Sequence, residues 1–563
     1  MAVAVIVLTA APARAATLAN RCVDVGGTTY FFKPTGPGTF MLADGERVLG
    51  ADSPGPAAEW TVRPLRGGRY RIASAATRRT LYRGRLRRVR RCRHYPEATL
   101  GARGRPFRRL WGFADSHLHI TANLRAGGSV ISGAPFDRFG VTVALGGDDR
   151  VHGPDGAADV TGNLLRGTPA GTHDTHGWPT FAGWPTWDTY THQQIYYRWL
   201  QRAWLGGLRL VVAQTVEDEP LCRLEPDRTH DCDETATAAL EVAQLRELQR
   251  YVDAQRGGRG RGWFRLVYGP RQARHVIARG KLAVLIGLES SDVFGCSERL
   301  QVPNCDRAQI DRGIAQLKRL GVRSVFLAHW VDNALGGAAI EPGAKGTFIG
   351  AMQVAQDGYP FATGPCPFPE QGERCNTRGL TELGAYAVQR LMDAHMLIEV
   401  DHLSEVGRER VLALAEGRRY PLVSSHTGTG GTWTREELRR LFALGGYASA
   451  VLDDAARLPD AILAFGHPVG LGTDTGGFAA LPGPGQPALA YPFRSFDGRV
   501  RFTRERTGER AFDLNTDGMA HYGLLPDLLA DAQRRPHGRR AMRVLFRSAA
   551  AYLRTWRRTG AAG

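Results

Sequence analysis

From Leu110 onward, short apolar runs alternate with longer stretches whose apolar positions recur at helical spacing. The runs over 112–115, 208–214, 282–289, 322–329, 396–402, 422–426, 448–452 and 469–474 read as β-strands. The stretches 239–255, 310–320, 380–394 and 434–444 read as amphipathic helices, and the last opens with Thr434 and Glu437 in capping-box spacing. Strands alternating with helices predict a parallel sheet of the α/β class. Eight such strands are the number that closes a (β/α)8 barrel of the TIM type.

Residues 17–104 have a different texture. Short alternating segments such as Thr29-Tyr30-Phe31-Phe32, Thr39-Phe40-Met41-Leu42 and Arg69-Tyr70-Arg71-Ile72 are separated by Gly, Pro and Asp. They predict a small all-β module. Such a module suits binding of a glycan or a cell-surface polymer, and equally a passive cap. The barrel then occupies 105–563, with a long insertion at about 121–205 whose second part is dense in Trp and Tyr. That density fits a lid or substrate wall, but packing of the insertion itself is the commoner reason. His173, His176 and His192 in the insertion read as loop or packing residues.

Composition narrows the class. At 563 residues with 43% hydrophobic content the chain is globular. Its apolar runs are too short for a transmembrane segment in the mature protein. Met1 to Ala16 is small and apolar, ends in Ala13-Arg14-Ala15, and reads as a secretory signal peptide without the usual basic start. The eight cysteines agree with a secreted, extracellular protein. Cys222 with Cys232, Cys296 with Cys305, and Cys366 with Cys375 form close couples, which leaves Cys22 and Cys92 as a fourth. The net charge of +18 is carried by arginine, densest at Arg83, Arg85, Arg87, Arg88, Arg90, Arg91 and Arg93. This run reads as a solvated basic face; no nucleic-acid module accompanies it, and no nucleic acid is expected as a partner.

The chemistry sits where strands end. His117 and His119 close the first strand, and side chains at i and i+2 share a face. Glu289 ends the third, His329 the fourth, His402 the fifth, His426 the sixth and Asp474 the eighth. In a parallel barrel all these ends lie on one rim. So many imidazoles and carboxylates at the ends of apolar runs are costly to bury unpaired, and a metal cluster removes that cost. Histidine and carboxylate without cysteine suit zinc or a similar first-row divalent ion. One central carboxylate can bridge two ions, and such a pair activates water.

These stretches resemble the amidohydrolase superfamily, and most of all its membrane (renal-type) dipeptidase family. The resemblance rests on Asp115-Ser116-His117-Leu118-His119, Lys281 to Glu289, Gly321 to His329, Gly379 to Gly384 leading to Asp401-His402-Leu403-Ser404, Ser424-Ser425-His426 and His467 to Asp474. It runs from about Trp111 to the C-terminal helices. It implies that His117 and His119 bind one metal, that Glu289 bridges, and that His402 and His426 bind the second. It further implies that His329 contacts the substrate and stabilises an oxyanion, while Asp474 handles a proton or anchors the substrate amine. Two departures stand out. The family usually has Asp at the position of His119, and residues 427–434 hold no Arg to pair with a dipeptide carboxylate. The expected activity is hydrolysis of an amide bond in a small-molecule substrate, of dipeptide or N-acyl amino acid type. The alternatives are a phosphoester or lactone hydrolase on the same site, or a non-catalytic glycan-binding barrel protein.

Overall fold

The computed structural model describes residues 15–427 and 433–561. They fall into two compact units. The first comprises the chain up to Ala98 with Phe136–Gly146 and Arg246–Arg265; the second takes Thr99–Pro135, Gly147–Leu245 and everything from Leu266. Of the expected signal peptide only Ala15 and Ala16 lie within the described residues.

The first unit is built on one antiparallel eight-stranded sheet. Strand Arg21–Val25 pairs with Thr28–Gly36, which pairs with Thr39–Asp44, and the sheet continues through Glu59–Pro64 and Tyr70–Ser74 to Thr80–Gly84. The last strand, Arg87–Arg88, pairs back on Arg21–Val25 at the opposite edge. Only two residues, Arg85 and Leu86, separate the two edge strands, so the sheet must curl until its edges are neighbours. Alternation then sorts side chains to the two faces. Phe32, Phe40, Leu42, Val62 and Ile72 fill one core, whereas Phe31, Met41, Ala43 and Val48 join Tyr95 and Phe139 in another. The arginine run from Arg83 to Arg93 is exposed.

The second unit is a nearly closed barrel of eight parallel strands. They are β1 (Phe113–Leu118), β2 (Leu208–Glu217), β3 (Leu282–Ser290), β4 (Val322–Val325), β5 (Leu397–Ile398), β6 (Val423–Thr427), β7 (Tyr447–Val451) and β8 (Gly470–Gly472). Their order runs β5-β4-β3-β2-β1-β8-β7-β6. The ends of that series, β5 and β6, meet through a single bridge between Glu399 and Val423. Ala114, Leu210, Val212, Ala283, Leu285, Leu397 and Val423 build one apolar core with Tyr552 and Trp556 of the helix Ser548–Arg558.

Several elements differ in length from the sequence reading. The strand expected over 322–329 stops at Val325. Phe326 N–H still donates to Leu288 at 3.0 Å, but the Leu327 carbonyl is taken at 2.9 Å by the Asn333 side chain rather than by a strand. The strand expected over 396–402 keeps only Leu397–Ile398. Helix Glu405–Arg418 escaped the apolar-periodicity test because its buried face carries Glu405 and Arg408. Arg408 is satisfied there by Glu437 at 3.0 Å. The capping box at Thr434 forms as expected at the head of helix Arg435–Ala443.

All four disulfides pair as the spacing predicts: Cys22–Cys92, Cys222–Cys232, Cys296–Cys305 and Cys366–Cys375. No helix among the described residues is long and apolar enough to cross a membrane. In the insertion, Trp184 and Trp199 are fully buried, as packing residues are. Late in the chain, the polar run from Phe512 to Gly523 begins a short helix, Leu514–Asp517, capped by Asp513.

Candidate metal centre

The mouth of the barrel gathers the strand-end residues into one cluster. His117 lies on β1 and His119 just past it, and their Nε2 atoms stand 3.0 Å apart. The continuation of β8 fixes this end of β1: Asp474 N–H donates to the His117 carbonyl and His119 N–H to that of Thr475, both at 3.1 Å. Glu289, near the end of β3, enters from the side. Its Oε2 lies 3.4 Å from His117 Nε2 and 3.2 Å from His119 Nε2. Its Oε1 lies 3.2 Å from His402 Nε2 and 3.7 Å from His426 Nε2. His402 and His426 approach each other to 2.9 Å between Nε2 atoms. One carboxylate thus presents a different oxygen to each of two histidine pairs.

Asp474 and His329 complete the ring. Asp474 Oδ1 is 3.1 Å from His119 Nε2 and 3.5 Å from His117 Nε2. His329 Nε2 is 3.6 Å from Glu289 Oε2. Asp474 is the open member: its side chain is 15% exposed against 4% or less for the others. Two of these residues sit in the left-handed region, His402 at φ 60° and Asp474 at φ 48°. Non-glycine residues pay for that conformation, and such strain concentrates at functional sites. Gly477 makes room for it, because a Cβ there would lie 1.8 Å from Asp474 Oδ1.

A second set of groups aims these side chains. Asp401 accepts from His426 Nδ1 at 3.2 Å and from the His426 backbone N–H at 3.0 Å; Ser424 Oγ and Trp433 Nε1 donate to its other oxygen. Asp218 Oδ1 accepts from His329 Nδ1 at 2.8 Å, and Arg125 donates to Asp218 Oδ2 at 2.5 Å. Asp115 accepts from the His117 backbone N–H at 3.2 Å, from Thr473 Oγ1 at 2.8 Å and from Tyr522 OH at 2.7 Å. Tyr522 comes from the late polar run, which therefore reaches the back of β1. Residues 428–432, where a substrate-binding Arg was sought, lie outside the described residues.

The electrostatics follow from burial and partners. Burial alone would raise the Glu289 carboxyl, but His329, His117 and His119 hold it well below its usual range. Burial would lower His119, yet the carboxylates of Asp474 and Glu289 raise it to about 9. His117 is lowered, by burial and by its neighbour His426. The donor set fits divalent metal. Two pairs of imidazole nitrogens face each other around a shared anion, and the buried His119 Nδ1 has no hydrogen-bond partner among the described residues. Two three-residue groups with metal-ligating geometry share Glu289: His117 with His119, and His329 with His402.

Sequence reasoning missed Asp218 and Arg125. For Asp218 the signal was present, since it follows directly on β2, which ends in Glu217, much as Glu289 stands next to the end of β3.

No protein-family model and no curated protein matches the chain. Similar solved structures include an amidohydrolase from Pseudomonas aeruginosa, 15% identical, covering 64% of this chain and 91% of that one with a TM-score of 0.38. A dipeptidase described as a metallopeptidase of family M19 is 17% identical over 64% of this chain and 88% of its own, with a TM-score of 0.40. A metallopeptidase from Rhodobacter sphaeroides, solved with a phosphinate mimic of the dipeptide L-Ala-D-Ala, is 18% identical over 64% of this chain and 89% of its own, with a TM-score of 0.37.

Proposed function

We propose that the chain is a secreted (β/α)8 hydrolase that depends on two divalent ions, of zinc type, and cleaves an amide bond in a small dipeptide or N-acyl amino acid. The observation that carries this reading is the Glu289 carboxylate, buried and divided between two histidine pairs. His117 and His119 would hold one ion, His402 and His426 the other, with Glu289 between them. Such ions supply a water of pKa about 7 and a Lewis acid for the scissile carbonyl.

The protein's own groups supply the rest. Asp474, the exposed member of the ring, takes a proton from the attacking water and returns it to the leaving amine. The alternative role for Asp474 is to anchor a substrate amine. His329 has its Nδ1–H committed to Asp218, which fixes the ring and leaves Nε2 facing the cluster. That atom meets the oxyanion that develops on the carbonyl. The four disulfides support an extracellular setting. Residues 17–104 are an accessory module, with a glycan or cell-surface polymer as its partner.

The test is a substrate panel run on metal-replete protein: dipeptides, N-acyl amino acids, lactones and phosphodiesters. Amide hydrolysis that a chelator abolishes and added zinc restores is the expected result. Turnover confined to lactones or phosphodiesters would replace the amide assignment, and a folded, metal-free, inert protein would remove the enzyme reading.

A further inference from the structure

A second gathering of imidazoles lies in the insertion and shares no residue with the barrel centre. Asp148, His152, His173 and His192 place their ligand atoms within 4.8 Å of one another. All three rings converge on one oxygen, Asp148 Oδ2: His152 Nδ1 at 3.0 Å, His173 Nε2 at 2.8 Å, and His192 Nε2 as the third partner. The other oxygen, Asp148 Oδ1, is buried with no hydrogen-bond partner among the described residues. A carboxylate serving only as a hydrogen-bond acceptor would spread three donors over both oxygens. Here one oxygen takes all three, which is how four ligands look when they point at a common centre.

The surroundings agree. The side chains are 0–6% exposed. The three rings stand mutually edge-on, at interplanar angles of 79°, 80° and 81°. His152 Nε2 donates to the Val130 carbonyl at 3.1 Å, which turns Nδ1 inward as the lone-pair face. A metal-bound imidazole is oriented in this way. Trp184 stacks on His192 with ring centroids 5.0 Å apart. Asp148 is the N-cap of the helix Asp149–His152, yet its side chain makes no cap bond and turns to the histidines instead. His176, the remaining histidine of this stretch, is exposed and pairs with Asp174.

We propose that Asp148, His152, His173 and His192 form a closed, four-coordinate site for a zinc-type divalent ion that holds the insertion together. Three nitrogens and one carboxylate oxygen are a donor set for such an ion, and a site with four protein ligands leaves no position for substrate. The role is structural. The ion ties three segments whose own secondary structure is limited to helices of four and six residues. Ile195, three residues past His192, lies 3.6 Å from the Cβ position of Gly476, beside the Asp474 loop.

The test reads metal content and position on the full chain. Elemental analysis of zinc-loaded wild type, H173Q, H192Q and the control H176Q is expected to show one ion fewer per chain in the first two variants and none fewer in the control. Because a variant can fail to fold, anomalous diffraction at the zinc edge on wild-type crystals gives a second reading. A peak amid the four side chains is expected. Folded H173Q and H192Q with full metal content would overturn the proposal. So would a crystal with zinc at Glu289 and no peak at Asp148. Absence of the Glu289 peak alone would count against the barrel centre and leave this site standing.

Discussion

Two clusters of histidine around a carboxylate occur in the second unit, and they use the carboxylate differently. At the barrel mouth Glu289 turns one oxygen to each of two histidine pairs, and Asp474 beside it is partly open. In the insertion Asp148 turns one oxygen to three histidines, and every side chain of the group is 6% exposed or less. A divided carboxylate with an open neighbour can serve two ions and admit a reactant. A carboxylate used through one oxygen, and sealed, can serve one ion and admit nothing. The use of the carboxylate oxygens therefore separates a reactive centre from a tether.

The sharpest way to break this distinction is Glu289→Gln. Turnover is expected to vanish and ions to be lost at the barrel mouth, while the Asp148 cluster keeps its own; a loss at both clusters by elemental analysis would show that they are not independent. His329→Asn should lower kcat by about 10²-fold with metal content unchanged, because a single oxyanion donor is worth roughly that much. A parallel loss of metal would move His329 from substrate contact to ligation. Asp401→Asn should weaken metal affinity about 10–100-fold, the usual cost of losing the group that orients a ligating imidazole; competition with a chromogenic chelator measures it. Metal loading at pH 7 should release protons at the barrel mouth, since His119 with its pKa near 9 must give one up to become a ligand. Calorimetric titration in buffers of different ionisation enthalpy would count them.

The smallest effect concerns the scaffold beneath the site. Burial raises the Glu399 carboxyl to about 8, and Ser324 Oγ donates to it at 2.6 Å. A carboxyl raised in the folded state contributes stability that is complete below its unfolded value and lost as pH rises through the folded value. Glu399→Gln should therefore leave Tm unchanged below the unfolded value of 4.5 and raise it above pH 8. Equal shifts at both values would show that the side chain acts by packing instead.

The same contrast explains what could be read from sequence. His117, His119, Glu289, His402, His426 and Asp474 stood out because each follows an apolar run, so the barrel topology assigns them to one rim before any contact is known. Asp148, His152, His173 and His192 follow no periodic segment. Their convergence depends on how loops without repeating geometry fold over one another, and only Asp148 and His152, one helical turn apart, carry a local hint. The short β4 and β5 were over-read for a related reason. Apolar character continues past the last paired residue in both, and after β4 the Leu327 carbonyl passes from strand to side chain.

The single bridge between Glu399 and Val423 makes the gap between β5 and β6 the seam of the cylinder. His402 follows the one strand and His426 lies on the other. An ion held by that pair would fasten the seam like a rivet. Catalytic loading and barrel closure would then be one event, and amide exchange at Val400, whose N–H donates to the Val423 carbonyl across the seam, would slow when metal is added.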